Sequence, residues 1–457
     1  MTERTFDAIV LGAGPAGEVV AGRLADGGLS VAIVEPHLVG GECSFYACMP
    51  SKALLRPGEL LAEARRVPGV AEAVTGELDV AAVLARRDEV IHDLDDSVQL
   101  PWIEDKGIEL IRDEGRLDGE RRVIVGDDVL VANRAVVVAT GSAAALPPID
   151  GLSEIEPWTN REATTAKQVP ARLAVLGGGV AGVELAQAWR TLGSQVTILE
   201  RSDRLIEREE PFASEQVAES LRALGVDVRL GAAVKTVRAE DDEVVVEIDG
   251  EAPVRADELL VSAGRRPRTE GIGVESVGLE AGKSIEVDDR MRATAVEGDW
   301  LYAIGDVNGR VLLTHMGKYQ ARAAADLILG KDAVVTEDGP VSPRVIFTEP
   351  QVAAVGHTLA SAQQAGLNVR AVDVPTEAPA GGSFVGKDAI GTCRIVVDED
   401  RRVIVGATFT GVEVAETIHA ATIAVVGEVP LDRLWHAVPS FPTRSEIWLN
   451  LLEEYGL

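Results

Sequence analysis

The sequence predicts an α/β protein with two Rossmann-like dinucleotide-binding domains and a C-terminal α+β domain. The first observation is an apolar run over residues 6–11 that ends in a glycine-rich turn and leads into a helix and a second strand. The second is a repeat of this unit from Leu173 onward. The third is a change after about Val341, where strands of alternating polarity replace the apolar runs.

Length and charge restrict the function. A chain of 457 residues is long enough for two to four domains. Its 44 basic and 74 acidic residues give a net charge of -30, which disfavours nucleic acid and anionic membranes as partners. Residues 1–6 lead straight into the first apolar strand, and no apolar run is long enough to span a bilayer. With only three cysteines and no sign of a signal peptide, we expect a cytoplasmic protein.

The first strand–helix–strand unit has the spacing of a dinucleotide site. Gly12 permits the tight turn, Gly14 lets a pyrophosphate approach the backbone, and Gly17 lets the helix meet the strand. The N-terminus of the following helix, which we expect to run to about Asp26, attracts phosphate. Glu35, at the end of the second strand, is expected to hold ribose hydroxyls.

The second unit repeats this arrangement, so the chain requires two dinucleotides. Its glycines are Gly177, Gly179 and Gly182. Glu200 ends its second strand and favours a free ribose 2′-hydroxyl, which predicts NAD(H). Arg201 and Arg204 could bind a 2′-phosphate, so NADP(H) stays possible.

Two cysteines lie directly downstream of the first unit. Cys43 and Cys48 are five positions apart, and Pro50, Ser51 and Lys52 follow them. A thiol pair so close to a dinucleotide site indicates redox chemistry, whereas the alternative is a pair of small buried residues. Cys393 lies on a predicted strand and is expected to be a packing residue.

These motifs resemble the flavoprotein disulfide reductases, the family of dihydrolipoamide dehydrogenase, glutathione reductase and mercuric reductase, over essentially the whole chain. The resemblance implies FAD in the first unit and NAD(P)H in the second, with a homodimer acting on a small-molecule disulfide or thiol. It adds cofactor-binding residues beyond the two glycine loops, namely Lys52, Thr140, Gly141, Asp306 and Gly264. Asp306 could instead be a helix cap.

The resemblance also assigns catalytic roles. Cys48 is expected to lie nearest the flavin and Cys43 to face the substrate. Lys52 is expected to pair with Glu184 beside the reacting edge of the flavin, although Glu184 could be an ordinary helix surface residue.

The expected domains follow the same resemblance. Residues 1–150 form an FAD-binding domain to which 265–335 return, 151–264 bind NAD(P), and 340–457 form the interface or dimerisation domain. Within these domains we expect a long helix from Asp79 to about Leu100. A hairpin of residues 392–397 and 403–408 and a helix near 414–426 are expected later in the chain.

The C-terminal segment departs from the family pattern. The family has His-Pro-Thr-x-Ser-Glu, where the histidine exchanges protons with the thiols, but this chain has Phe441 in that place and keeps Glu446. A phenyl ring accepts no proton and instead excludes water. By resemblance, Phe441 and Glu446 reach the other subunit's Cys43. His436 could substitute for the missing base or could be a packing or solvent residue.

Two functions stay open. One is an NADH-dependent, FAD-containing disulfide oxidoreductase, similar to dihydrolipoamide dehydrogenase but without its usual base. The other is a dithiol-dependent carboxylase or C–S bond-cleaving enzyme similar to 2-ketopropyl-coenzyme M oxidoreductase/carboxylase, which also has phenylalanine at the position of Phe441. That relative pairs its phenylalanine with a later histidine, where this chain has Glu446. A non-catalytic flavin-binding protein is a weaker third possibility, and the sequence does not reveal the physiological substrate.

Overall fold

The computed structural model describes residues 2–457. The chain divides into two compact units, and each is described by itself. The first unit comprises Met1–Pro50, Asp88–Ala145 and Arg265–Gly339. The second unit comprises Ser51–Arg87, Leu146–Gly264 and Pro340–Leu457. Within residues 2–457, no helix has the length and apolar character needed to cross a bilayer.

The first unit is built on a seven-stranded sheet whose central strand is Glu3–Leu11. Its strands, in spatial order, are Glu109–Ile111, Val31–Val34, Glu3–Leu11, Asp128–Val138, Arg122–Val125 and Gly115–Leu117, with Leu301–Ala303 also paired to Asp128–Val138. A two-stranded sheet pairs Ser142–Ala144 with Arg265–Pro267. The unit's helices are Pro15–Asp26, Gly41–Phe45, Leu100–Asp105 and Thr314–Ile328, and Cys48–Arg66 begins in it.

The central strand of the first unit is buried on both faces, as its apolar run predicts. Ala8 and Val10 belong to one hydrophobic cluster, whereas Ile9 and Leu11 belong to another. Because successive side chains of a strand point to opposite faces, this division places one hydrophobic core on each side of the sheet.

The second unit contains three sheets. A parallel sheet has the strands Asp227–Leu230, Gln195–Glu200, Arg172–Leu176 and Glu258–Val261. An antiparallel sheet has Val234–Glu240, Glu243–Ile248 and Val254–Ala256. A five-stranded antiparallel sheet has Arg344–Ile346, Gln351–Gly356, Val403–Gly411, Thr392–Asp398 and Val369–Pro375. The helices here are Val80–Val90, Asn160–Thr165, Val180–Thr191, Pro211–Ala223, Leu359–Gln364, Val414–Val426, Leu431–Leu434 and Ile447–Tyr455.

The structure confirms the predicted α/β fold class, with two strand–helix–strand units and a C-terminal α+β segment. The predicted hairpin is present, since Thr392–Asp398 and Val403–Gly411 pair antiparallel. The predicted helix is also present as Val414–Val426.

The long helix predicted from Asp79 to about Leu100 is wrong. The helix that begins at Val80 ends at Val90. His92, Asp93 and Leu94 then have φ values of 50°, 51° and 63°. A left-handed backbone at three consecutive positions cannot continue a right-handed helix, so the chain turns before Leu100–Asp105 begins.

Candidate active site and nucleotide-binding loops

The first glycine-rich loop has no room for side chains at its two ends. Gly12 has a φ of +103°, and a Cβ there would lie 2.5 Å from the Ala139 carbonyl oxygen. A Cβ on Gly17 would lie 2.0 Å from the Gly12 carbonyl oxygen. Around a Cβ built on Gly14, by contrast, the described chain places nothing within 4 Å. Since Gly14 caps the helix Pro15–Asp26, the loop leaves open space at a helix N-terminus, which fits a pyrophosphate.

The second loop has the same geometry in the second unit. Gly177 has a φ of +107°, with the Ser262 carbonyl oxygen 2.8 Å from a Cβ built there. A Cβ on Gly182 would lie 2.0 Å from the Gly177 carbonyl oxygen, whereas around Gly179 the described residues leave 4 Å of open space. Gly179 caps the helix Val180–Thr191. The residues of this loop therefore also fit a dinucleotide.

The two acidic residues at the strand ends brace these loops. Glu35 accepts a hydrogen bond from the Ala13 amide at 2.8 Å and, through its other oxygen, one from the amide two residues onward at 2.8 Å. Glu200 likewise accepts from the Gly178 amide at 2.5 Å and from the amide two residues onward at 2.7 Å. Each carboxylate oxygen retains a lone pair that a ribose hydroxyl could use.

The remaining residues expected near FAD are tied together in the first unit. The Thr140 hydroxyl donates to the Arg268 carbonyl at 2.7 Å, and the Arg268 amide donates to the Gly141 carbonyl at 3.0 Å. The Ser142 hydroxyl donates to the Asp306 carboxylate at 2.5 Å. The Asp306 side chain makes no capping hydrogen bond to the short helix Gly305–Asn308, so the alternative of a helix cap does not apply. This side chain is 26% exposed.

The cations beside Glu200 are placed differently from each other. Arg201 is exposed, whereas Arg204 is half-buried and donates to the Glu207 carbonyl oxygen at 2.5 Å. Gly264 has a φ of +138°, and the described chain leaves the space around its Cβ position open to 4 Å. Arg204 is thus held by the backbone, and Gly264 leaves room for a ligand.

The two thiols lie at adjoining helix ends. Cys43 is in the short helix Gly41–Phe45, and Cys48 is the first residue of the next helix. Both are half-buried thiols. The Cys48 sulfur lies 3.5 Å from the Thr314 hydroxyl oxygen, within hydrogen-bond distance for sulfur. The hydrogen bond with Cys48 and burial raise the pKa of the Cys43 thiol far above its ordinary value, while Thr314 and the charge of Lys318 lower it.

A buried ion pair lies in the second unit. The Lys52 ammonium donates to Glu184 at 2.7 Å, and the other Glu184 oxygen accepts from the Phe347 amide at 2.9 Å. The Lys52 nitrogen also lies 4.7 Å from the centre of the Phe347 ring. A cavity of about 300 Å³ is lined in part by these two side chains. Glu184 is 3% exposed, so the alternative of an ordinary surface residue is excluded.

The C-terminal segment that contains Phe441 and Glu446 leads into the last helix of the chain. Glu446 accepts from the Thr443 amide at 3.3 Å and belongs to a capping box ahead of the helix Ile447–Tyr455. The Phe441 side chain is 76% exposed in the single chain. His436 is also exposed, and within residues 2–457 it has no packing partner that would bury it.

Three side chains at the site escaped the sequence reasoning. Thr314 and Lys318 lie one turn apart on the helix Thr314–Ile328, and Glu18 lies in the first glycine-loop helix. Their signal was weak, because a threonine and a lysine four residues apart fit any partly exposed helix face. Only the packing of the chain brings Thr314 and the charge of Lys318 near the thiols, and Glu18 near Lys318.

Comparison with known families gives two matches that together cover most of the chain. Residues 6–321 match the family described as pyridine nucleotide-disulphide oxidoreductase. Residues 342–451 match the dimerisation domain described for the same family. These matches confirm the predicted fold and the predicted C-terminal dimerisation domain family.

Individual relatives match this chain over 81–99% of their own length. The chain is 32% identical to a dihydrolipoyl dehydrogenase of Chlamydia muridarum, over 97% of this chain and 95% of that protein. It is 30% identical to a mercuric reductase of Staphylococcus aureus, over 96% and 81%. The structure of the HOCl-induced flavoprotein disulfide reductase RclA from Escherichia coli is similar with a TM-score of 0.85, 26% identity, and coverage of 98% and 99%. The predicted class, an NAD(P)H-dependent flavoprotein disulfide oxidoreductase, is confirmed.

Proposed function

Because the chain belongs to the pyridine nucleotide-disulphide oxidoreductase family, we propose that it passes electrons from NADH through FAD to a redox disulfide of Cys43 and Cys48. The observation that carries this proposal is the thiol pair itself, whose two side chains share a hydrogen bond in the same unit as the first glycine loop. Two thiols in contact can form a disulfide, and a dinucleotide cradle can supply the electrons.

The first unit supplies the proposed FAD site. When bound, FAD accepts hydride from NADH and supplies two electrons to the disulfide. The residues of this unit proposed to hold it are Gly12, Gly14, Gly17, Glu35, Thr140, Gly141 and Asp306. Lys52, which lies in the second unit, is added by the family resemblance alone. Gly14 offers open space at a helix N-terminus, and Glu35 offers free lone pairs at the end of the second strand. These features support pyrophosphate and ribose binding, respectively.

The second unit supplies the proposed nicotinamide site. Its residues are Gly177, Gly179, Gly182, Glu200 and Gly264. The Glu200 carboxylate repels a 2′-phosphate, while Arg204 is occupied by a backbone carbonyl, so NADH is the proposed donor. The ratio of kcat/KM for NADH to that for NADPH tests this preference. A ratio below one contradicts it.

Reduction of the disulfide balances as follows. The sulfur–sulfur bond breaks, two electrons and two protons enter, and two thiols result, while NADH and a proton give NAD⁺. The pair then reduces a small-molecule disulfide, with Cys43 attacking and Cys48 completing the exchange. The family resemblance implies that Lys52, paired with Glu184, lies beside the reacting edge of the flavin, where its charge would favour anionic groups.

The proposed enzyme works as a homodimer through residues 340–457, which include the match to the dimerisation domain. The domain boundaries proposed for the rest are 1–150 with 265–335 for FAD and 151–264 for NAD. In the dimer, Phe441 and Glu446 are proposed to approach the partner's thiol pair. Phe441 is 76% exposed in the single chain, which suits a side chain that a second subunit covers.

The experiment that tests the proposed function counts the thiols of the protein before and after reduction. The oxidised protein is mixed anaerobically with one equivalent of NADH, quenched, and titrated with a thiol reagent. Two new thiols per chain support the proposal, and the Cys43→Ser variant is expected to show none. Cys393→Ser is the matched control, because Cys393 is 2% exposed and is expected to leave the gain unchanged. Reduction of FAD without new thiols contradicts the proposed disulfide.

Phe441 favours a second candidate, a dithiol-dependent carboxylase or C–S bond-cleaving enzyme. A water-excluding ring in place of a base suits a thiol that attacks carbon and a carbanion that must not be protonated. Turnover of lipoamide with NADH distinguishes the two candidates. Efficient lipoamide turnover eliminates the second candidate, whereas low lipoamide turnover that Phe441→His does not raise favours it.

A further inference from the structure

One helix presents two polar side chains to the thiol pair of the first unit. Thr314 is the first residue of the helix Thr314–Ile328, and its hydroxyl oxygen lies 3.5 Å from the Cys48 sulfur. Lys318 follows four residues later, so it lies one turn further along the same face. The Thr314 hydroxyl and the Lys318 charge each lower the pKa of the Cys43 thiol, against the larger effects of Cys48 and burial, which raise it.

Lys318 is a cation without a close counter-ion. Its side chain is half-buried, and the ion pairs within 4.0 Å among residues 2–457 do not include it. The carboxyl group whose titration its charge influences is Glu18, on the helix Pro15–Asp26. Burial raises the pKa of Glu18 to about 7, so at neutral pH this carboxylate offsets only part of the charge of Lys318.

We propose that Lys318 supplies the positive charge that stabilises the thiolate of the Cys43–Cys48 pair, in the place of the histidine that Phe441 replaces. This inference rests on the proposed disulfide chemistry. Lys318 acts by charge, whereas Thr314 holds the Cys48 sulfur by a hydrogen bond. A cation near a thiol favours the ionised form, which is the form that attacks disulfides.

A fixed ammonium differs from a histidine in one respect. It stabilises the thiolate by charge, whereas a histidine can also exchange a proton near neutral pH. The pair would therefore ionise more readily than an unassisted dithiol, while the proton itself goes to water or to the substrate. This combination explains how a chain with Phe441 could keep a nucleophilic thiol pair.

The test measures thiol ionisation directly and needs no turnover. The FAD-containing protein is fully reduced with dithiothreitol and desalted anaerobically. It is then alkylated with iodoacetamide from about pH 6 to about pH 10, the range in which thiols ionise. Mass spectrometry of peptides gives the rate at Cys43 separately from that at Cys48 and Cys393. The pH at half-maximal rate for whichever of Cys43 and Cys48 is alkylated first is the apparent pKa of the coupled thiol pair.

Lys318→Met is expected to raise this apparent pKa by about one unit and to slow alkylation at neutral pH about tenfold. Lys318→Arg, which keeps the charge, is expected to stay close to the unmodified protein. Arg322→Met is the matched control. It removes one charge from the same helix one turn further along, where Arg322 is exposed, and is expected to change little.

Equal alkylation profiles for Lys318→Met and Arg322→Met overturn the proposal. If Lys318→Met does not fold, Lys318→Gln in the same measurement decides, and an unshifted profile there overturns it equally. The reductant here is dithiothreitol, so failure of NADH to reduce the disulfide would refute the proposed function without affecting this result. A normal thiol count with NADH and no effect of Lys318 would refute only the role of Lys318.

Discussion

Lys52 and Glu184 form an ion pair of 2.7 Å in which the Glu184 side chain is almost completely buried while the Lys52 side chain is about one third exposed. The second carboxylate oxygen is held by the Phe347 amide at 2.9 Å. The pair is therefore asymmetric, since Glu184 depends on Lys52 for charge compensation, whereas Lys52 retains some contact with solvent.

Removing Lys52 is therefore expected to destabilise the protein more than an average surface substitution. Lys52→Met leaves a buried carboxylate uncompensated and is expected to lower the free energy of unfolding by about 2 kcal/mol. Glu184→Gln, combined with Lys52→Met, is expected to recover part of that loss because no charge stays buried. Urea unfolding of the single and double variants measures the coupling.

The control is the pair Lys235–Asp249, whose side chains are 60% and 61% exposed. Lys235→Met is expected to change the free energy of unfolding by less than about 0.5 kcal/mol. If Lys235→Met and Lys52→Met changed the free energy of unfolding equally, burial of Glu184 would not increase the cost of removing its partner.

The two kinds of loop glycine predict separable defects. Gly14→Ala adds a methyl group in open space, so the fold is expected to persist while FAD binds about tenfold more weakly, or about 1.4 kcal/mol. Gly17→Ala places a Cβ 2.0 Å from a backbone oxygen, so the helix must shift and the protein loses stability. FAD content after dialysis and the unfolding midpoint measure the two effects.

The corresponding residue of the second unit serves as the control. Gly179→Ala is expected to raise KM for NADH and to leave the FAD content unchanged, because its open space lies at the other helix N-terminus. Loss of FAD from Gly179→Ala would contradict the assignment of the two loops.

Sequence reasoning succeeded where structure is determined locally. The glycine loops, the strand Glu3–Leu11 and the helix Val414–Val426 follow from residues close in the chain, because backbone sterics and apolar runs act over short distances. The helix expected from Asp79 to Leu100 ends at Val90. The left-handed turn that ends it, at residues 92–94, contains no glycine or proline that would have indicated it in the sequence.

The charges around the thiols could not be derived in the same way. Thr314 is 266 residues from Cys48, and only the packed helix brings the two together. Its neighbour Lys318 lies on an ordinary amphipathic pattern that carries no sign of a partner. The periodicity of a sequence does not show which distant segments pack together, so these residues could be placed near the thiols only from the structure.

Glu18 predicts a pH-dependent loss of stability. Burial raises its pKa from 4.5 to about 7 in the folded protein, so the neutral carboxyl favours folding. This contribution is fully present below pH 4.5 and is lost as the pH rises through about 7. The two pKa values differ by about 2.5, which corresponds to about 3 kcal/mol in the free energy of unfolding.

The variant Glu18→Gln is expected to lack this loss. Its free energy of unfolding should approach that of the unmodified protein near pH 5 and exceed it by up to about 3 kcal/mol near pH 8.5. Urea unfolding at a series of pH values is the measurement. Glu275→Gln, at an exposed position of the same unit, is the control and is expected to show a difference that does not vary with pH. A constant difference for Glu18→Gln as well would mean that Glu18 ionises normally.

The last prediction concerns Phe441. Without a histidine at this position, the thiolate next to oxidised FAD depends on fixed charges such as the proposed Lys318, so the long-wavelength thiolate-to-flavin absorption is expected to be weaker at neutral pH than in Phe441→His. It should grow as the pH rises through the pKa of Cys48. Phe441→His introduces a group that ionises near neutral pH and is expected to strengthen the absorption there. It should also raise lipoamide turnover at least about tenfold, since a general base typically contributes 10²–10⁴-fold.

Anaerobic NADH titrations across pH, on the unmodified protein and on Phe441→His, provide the measurement. Phe441→Leu is the control, because it changes the side chain without adding a titratable group and is expected to leave both the absorption and the turnover low. A band in the unmodified protein that is as strong as in Phe441→His and does not vary with pH would contradict this prediction, because one group would then perform the histidine's whole task. His436→Ala and Lys318→Met then identify it, since the first removes an exposed histidine near the C-terminal segment and the second the cation beside Cys43.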